Sequence, residues 1–197
     1  MMIEKENADI FCITESWVNE KHLNSALVPQ SNDYIIARCD RKNKKGGGVA
    51  ALIRSHFVHN IVSTLSSEWF KSIVVDLFFT EGPIRVVIVY FKPAGSKENI
   101  ESLTDYLSQY ISIDCPCVVL GDFNMPQIDW TNSSCSGPAQ SFLEFCKSAN
   151  LVQCIDFCTR NKSILDLVLT SDPRLLKEKR ELAPPKGCDH CFISFKI

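Results

Sequence analysis

Apolar residues in this chain follow two rhythms. Residues 8–15 (Ala-Asp-Ile-Phe-Cys-Ile-Thr-Glu), 34–39 and 48–54 are short runs of the length a buried strand needs. Between 72 and 91 the pattern alternates. Ile73, Val75, Leu77 and Phe79 share one face, and Ile84, Val86 and Ile88 share another. Glu81-Gly82-Pro83 between them predicts a hairpin turn. The alternate faces are also fairly apolar, so these strands are expected to be covered on both sides.

From 97 to 112 the spacing becomes helical, with Ile100, Leu103, Leu107, Tyr110 and Ile111 on one face and Ser96 as the N-cap. A strand at 117–122 follows. A second helix is predicted over roughly 138–149, with Pro138 in its first turn and Phe142, Phe145, Cys146 and Ala149 along one side. Strands at 151–156, 164–170 and 190–196 complete the pattern. The mixed order of about nine strands and two or three helices predicts an α/β fold. Two mixed sheets pack face to face with helices outside, in a single domain spanning 1–197.

Composition adds limits. Lys plus Arg is 21 and Asp plus Glu is 23, a formal net charge of -2, so a nucleic-acid partner would need a local basic surface. The ten cysteines are scattered, several of them inside apolar runs, where a free thiol acts as a small hydrophobe. No run approaches ~20 uninterrupted apolar residues, and no secretory leader is visible. The expectation is an intracellular protein, nuclear or cytoplasmic, kept reduced and away from membranes.

The chemistry lies where strands end. Cys117-Val-Val-Leu-Gly-Asp122-Phe-Asn124 is an apolar run broken by glycine, then by an acid and an amide two residues apart. Along extended chain, residues i and i+2 point the same way, so Asp122 and Asn124 converge on one ligand. Glu15 closes the first strand, Asp166 interrupts the apolar run 164–170, and Asp189-His190 opens the last strand. A buried carboxylate is destabilising unless paired or bound to a cation. Asp166 therefore needs a partner, and His190 is the simplest one; such a pair fixes the ring tautomer and raises its basicity. Glu15, Asp122, Asn124 and Asp189 are hard ligands that suit Mg²⁺ or Mn²⁺ better than zinc.

Taken in order, Asp9-Ile-Phe-Cys-Ile-Thr-Glu15, Val89-Tyr90, Gly121-Asp-Phe-Asn124, Leu165-Asp-Leu-Val-Leu169 and Asp189-His190 resemble the endonuclease/exonuclease/phosphatase superfamily. Thr14-Glu-Ser-Trp17, Gly46-Gly-Gly-Val49 and Tyr90-Phe-Lys-Pro93 narrow the resemblance to endonuclease domains of LINE-type (non-LTR) retrotransposons. The resemblance implies a four-layered α/β sandwich, like abasic-site endonucleases and deoxyribonuclease I, and Mg²⁺-dependent hydrolysis of DNA. Glu15 would bind the metal, with Asp189 as a further ligand on the metal side. Tyr90 would touch the scissile phosphate. Asp122 would orient or deprotonate the attacking water, and Asn124 would steady that water or the phosphate. Asp166 would orient His190, which would hydrogen-bond the phosphate. Thr159 would lie near the phosphate. Basic residues near the site, among them Arg38, Arg41, Lys42, Lys44, Lys45 and Lys92, are candidates for backbone contacts with DNA.

The resemblance has two departures. The family opens with a strand ending in asparagine well ahead of the glutamate, and the residues before Glu15 contain no such strand. Its absence would leave backbone groups unpaired and apolar surface uncovered next to residues 8–15, and would remove a phosphate ligand. Cys188 also stands where the family usually has serine. Three alternatives therefore stand beside a DNA-nicking enzyme. One is a truncated, impaired relic or binding module of the same fold. Another is a phosphoesterase acting on RNA or a phospholipid-type substrate. The third is a four-cysteine zinc site built from Cys154, Cys158, Cys188 and Cys191. A reverse-transcriptase region of a parent polyprotein is a possible partner, and none follows within these residues.

Overall fold

A computed structural model describes residues 6–28, 33–41, 47–184 and 187–197. Its strands are β1 (Ile10–Thr14), β2 (Tyr34–Cys39), β3 (Val49–Arg54), β4 (His59–Ser66), β5 (Phe70–Phe79), β6 (Gly82–Phe91), β7 (Cys117–Asp122), β8 (Ile128–Asp129), β9 (Ser134–Cys135), β10 (Val152–Gln153), β11 (Asp166–Thr170), β12 (Lys177–Leu182) and β13 (Phe192–Lys196). Two α-helices, α1 (Lys97–Ser108) and α2 (Gln140–Ser148), are interleaved with them.

The main sheet has six strands in the order β10-β11-β7-β6-β5-β4. Its centre is the parallel pair β6 and β7, and every other pairing is antiparallel. A parallel pair needs a crossover, and α1 supplies it. The helix starts where Ser96 accepts from the Asn99 amide and the Asn99 side chain accepts from the Ser96 amide. It buries Ile100, Leu103, Tyr106 and Leu107, and α2 buries Phe142, Leu143 and Cys146. These residues share one core with Val74, Val87, Val89 and Val119 of the sheet. Burying each large apolar side chain contributes roughly 1.5–3 kcal/mol.

The opposite face of the main sheet packs on a three-stranded antiparallel sheet, β1-β3-β2. Val49, Ala51 and Ile53 of β3 meet Ile73, Val75, Val86 and Ile88 there. The β12–β13 hairpin covers another part of this face, with Ile193 and Phe195 against Val118 and Val168. The alternating apolar faces of β5 and β6 thus serve two cores, as their sequence pattern requires.

The seam between β1 and β13 is open. Leu120 sits on the central strand β7 and touches the clusters that hold Ile10 and Cys12 on one side and Ile193 and Phe195 on the other. It remains half-buried, whereas its neighbours Val118 and Val119 are fully buried. Among the described residues, β1 pairs only with β3 and β13 only with β12, so each keeps an unpaired edge. No residue of either strand is fully buried.

The structure redraws several predicted boundaries. The helix expected to run to residue 112 ends at Ser108, and Tyr110 and Ile111 pack on the core from the following turn. The helix expected from Pro138 begins at Gln140, with Ala139 at its N-cap. The strand expected over 151–156 pairs only at Val152 and Gln153. Strands β4, β8, β9 and β12 were not predicted.

Candidate active site

Three strands of the main sheet deliver the centre of the site. In the registers of β6–β7 and β7–β11, Tyr90 lies opposite Asp122, and Asp122 lies opposite Asp166. The three residues form a row across the sheet at one level. Gly121 stands in β7 one residue ahead of the row. Its φ is +132°, and a Cβ at that position would stand 1.9 Å from the Val89 carbonyl oxygen. Only glycine lets β7 lie this close to β6. The chain then turns through Asn124, which has a φ of 50°. The Asn124 amide donates to Asp122 Oδ1 at 3.1 Å, and its side-chain Nδ2 donates to the Phe91 carbonyl at 2.9 Å.

His190, just ahead of β13, closes over the row. Its Nδ1 lies 2.6 Å from Asp166 Oδ2, which leaves Nε2 free to face a ligand. The potential ligand atoms of Asp122, Asp166 and His190 all lie within 4.8 Å of one another. Thr159 locks this corner from behind. Its hydroxyl accepts from the amides of Leu165 at 2.9 Å and Asp166 at 3.0 Å, and its carbonyl accepts from the Cys191 amide at 2.9 Å. Thr159 is only 2% exposed. Its side chain thus fixes the start of β11 and its carbonyl fixes the loop carrying His190.

Glu15 approaches Tyr90 from the second sheet. It follows β1 with a φ of 54°. Its Oε2 accepts from Trp17 Nε1 at 2.6 Å and from the Gly47 amide at 2.7 Å. The same carboxylate is hydrogen-bonded to Tyr90. Asp189, predicted on the metal side, is ion-paired to Arg160 at 2.6 Å and its side chain is 66% exposed.

Electrostatics follow from this packing. Burial, then the neighbouring charge of Asp166, pushes the Asp122 carboxyl up to about 7, against smaller opposing effects of His190 and Asn124. The hydrogen bond to Asp166 raises the His190 imidazole above its ordinary value, aided by the charges of Asp166 and Asp122. Burial, the Glu15 hydrogen bond and the charges of Glu15 and Asp122 raise the Tyr90 phenol, which stays protonated.

Two carboxylates and one imidazole on converging strand ends form a donor set for a divalent cation. A buried acid crowded by a second acid is the environment that such a cation relieves. The set does not suit the four-cysteine alternative. Cys154 is buried against the β12–β13 side of the core, while Cys158 and Cys188 are exposed. The cysteines form no ligand cluster among the described residues.

The basic residues are less concentrated than expected. Arg38 is consumed internally by Asp40 and by the carbonyls of Asn19 and His22. Lys92 lies over the Trp69 ring at 5.6 Å. Arg41 anchors its loop through its amide to Val18 at 3.4 Å. Lys42, Lys44 and Lys45 lie outside the described residues. Two further residues lie at the site: Trp17, part of the Thr14–Trp17 motif and 52% exposed beside Glu15, and Arg160. The latter was legible only as a cation following the polar Thr159.

The arrangement, acids and a histidine gathered at strand ends over packed sheets, is a candidate metal site of the phosphodiesterase kind. A family model described as endonuclease-reverse transcriptase matches residues 84–194. The chain belongs to this family, within the endonuclease/exonuclease/phosphatase superfamily. No curated protein sequence matches the chain.

Among solved structures, the endonuclease domain of TRAS1, a telomere-specific non-LTR retrotransposon, is similar with a TM-score of 0.75 and 15% identity, covering 98% of this chain and 87% of that one. An AP endonuclease from Leishmania major is similar with a TM-score of 0.68 and 15% identity, covering 98% and 79%. The 3′ phosphatase NExo from Neisseria, bound to product DNA hairpin, is similar with a TM-score of 0.70 and 14% identity, covering 99% and 91%. At these identities the likeness shows a shared fold, that of deoxyribonuclease I and abasic-site endonucleases.

Proposed function

We propose that this protein is a Mg²⁺-dependent phosphodiester hydrolase that nicks DNA, of retrotransposon origin, on a four-layered α/β sandwich. The reading rests on one observation: Tyr90, Asp122 and Asp166 stand in register across three strands, and His190 closes on Asp166 at 2.6 Å. Family membership and the TRAS1-like fold support it.

Asp122 takes the proton from the attacking water. Without a cation, burial and the charge of Asp166 push its carboxyl up to about 7, so it binds a proton readily. His190, its Nδ1 held by Asp166, presents Nε2–H to a non-bridging oxygen of the phosphate. Asn124 and Tyr90 steady the same group, and donors aimed at developing negative charge are among the strongest contributors to catalysis. The carboxylates of Asp122 and Asp166, with Glu15 behind Tyr90 and Asp189 at the rim, would hold a divalent cation. When bound, that ion neutralises charge on the phosphate and on the departing oxygen. Thr159 supports Asp166 and so places it. Lys92 and Arg41 contact the DNA backbone outside the scissile link. The protein acts in a reducing compartment, nuclear or cytoplasmic, a setting suited to cysteines scattered through apolar runs.

The test is conversion of supercoiled plasmid to open circle with Mg²⁺, with EDTA, and with the Asp122→Ala and His190→Ala proteins. Nicking is expected only with the metal and the unaltered residues. Nicking that survives either substitution removes the assigned roles. One observation favours a second reading, a catalytically impaired module of the same fold: among the described residues, β1 and β13 each keep an unpaired edge. A folded protein that binds DNA but never nicks it would select that reading. Cleavage of RNA or a phospholipid analogue in place of DNA would move the substrate class instead.

A further inference from the structure

Asp122, Asp166, Glu15 and Asp189 lie in or beside the proposed site, and two of them are paired, Asp166 with His190 and Asp189 with Arg160. A phosphodiester approaching them needs a fixed cation beyond any bound metal. Arg38 is tied up by Asp40 and backbone carbonyls, and Lys92 lies over Trp69. Arg160 is placed differently.

Arg160 follows Thr159, which bonds to Asp166 and to the loop of His190. Its own backbone is clamped in a tight turn: its amide donates to the Ser163 carbonyl at 3.1 Å, and the Ser163 amide donates back at 2.9 Å. The guanidinium therefore springs from a rigid base beside the catalytic row. Its Nη2 meets Asp189 Oδ2 at 2.6 Å, with the two side chains 40% and 66% exposed. Its Nε is buried without a hydrogen-bond partner. One edge of the fork is thus engaged, a further donor is unsatisfied, and part of the group faces solvent next to His190.

We propose that Arg160 is a further substrate-positioning residue, which grips a DNA phosphate adjacent to the reacting one and is held ready by Asp189. The inference rests on the reading of the site as a DNA phosphodiesterase. Guanidinium forks match phosphate oxygens two at a time, and the solvent-facing part of this one supplies the donors. Exposed ion pairs are weak, so Asp189 does not keep the guanidinium from a phosphate.

The experiment is anisotropy of a fluorescently labelled DNA duplex in EDTA, where no cleavage occurs, titrated with the full chain across salt from about 50 to 200 mM. A parallel plasmid-nicking assay is run with Mg²⁺. Arg160→Ala is expected to weaken binding and to flatten the log–log salt dependence by about 0.9, so that the fourfold rise in salt costs ~3.5-fold less affinity. Arg160→Lys restores the slope but not the full affinity. Asp189→Asn, which frees the guanidinium, tightens binding in EDTA.

A purely structural ion pair would instead make Arg160→Ala and Asp189→Asn weaken binding alike with no change of slope, and that result overturns the proposal. An unchanged slope in Arg160→Ala, while the unaltered protein nicks DNA, overturns it and leaves the enzyme reading intact. An Arg160-dependent slope in a protein that never nicks supports it and removes the catalytic reading. No binding of the duplex by the unaltered protein overturns both.

Discussion

Asp122 and Asp166 face each other as register partners across β7 and β11, with Asp122 only 4% exposed. Two like charges are thus held side by side, one of them out of water. Such an arrangement opposes stability, and it survives in the fold because the surrounding ladder fixes both residues.

The first prediction concerns that opposition. The Asp122 pKa stands at about 7, well above its ordinary 3.8. A raised carboxyl pKa means that the native state binds more protons than the unfolded state between those values. Stability therefore falls as pH rises from about 4 to 7. His190, raised above its ordinary value, acts in the same direction: its contribution is complete below about 6.5 and is lost as pH climbs through its folded pKa. In EDTA, urea denaturation at pH 8 should show Asp122→Asn more stable than the unaltered protein, by on the order of 2–4 kcal/mol. The difference should shrink towards zero at pH 4. Adding Mg²⁺ at pH 8 should stabilise the unaltered protein and not the variant.

The second prediction concerns Gly121. A methyl group there would meet the Val89 carbonyl oxygen at 1.9 Å, and the φ of +132° is strained for any other residue. Gly121→Ala should lose at least ~2–3 kcal/mol, or fail to fold. Gly137, which has open space around its missing Cβ despite a φ of +80°, is the control. Gly137→Ala should cost about 1 kcal/mol. Equal midpoints for the two variants in thermal melts would contradict the close approach of β7 to β6.

The third prediction separates support from chemistry. Thr159→Val removes the shared acceptor of the Leu165 and Asp166 amides. One buried and one partly buried donor are left unsatisfied, a loss of roughly 1–3 kcal/mol for the buried one and less for the other. Asp166, no longer fixed, should hold His190 less well. In a plasmid-nicking assay kcat is expected to fall about 10-fold or more, with the fold intact by circular dichroism. Thr159→Ser should recover most of both losses. A Thr159→Val protein that nicks at full rate would show that Asp166 needs no such support.

Most of the centre of the site was legible in the sequence because it lies on buried strands. Asp122 and Asp166 interrupt apolar runs, and a carboxylate in such a run has few physical explanations. The partnership of Asp166 with His190 could be argued for the same reason. Edge elements were not legible. β4 has four exposed residues of eight and none buried, and β12 reads Lys-Glu-Lys-Arg-Glu-Leu with five exposed residues, so neither carries the apolar rhythm that marks a strand. They are strands because β5 and β13 pair with them, and long-range pairing leaves no local trace. The pairing of Asp189 with Arg160 was not legible either. Their contact joins two loops 29 residues apart (189 − 160), and nothing in either segment announces the other.

The last prediction concerns the seam between β1 and β13. Leu120 should be buried like Val118 and Val119, its neighbours on a central strand, yet it is only half-buried. Among the described residues the strands on either side each offer an unpaired edge and partly exposed apolar residues: Ile10 from β1, Ile193 and Phe195 from β13. An extended segment lying along such an edge would satisfy backbone groups and cover this surface. Each hydrogen bond gained contributes about 0.5–1.5 kcal/mol net, before apolar burial is counted. A protein extended ahead of Met1 by a β-forming segment with alternating apolar residues should therefore melt several degrees higher than residues 1–197 alone. Amides of Phe11 to Thr14 should become protected from hydrogen exchange in the extended protein. An extended protein with unchanged melting and unchanged exchange at these amides would mean that the seam is already closed in solution, and that the exposure of Leu120 has another cause.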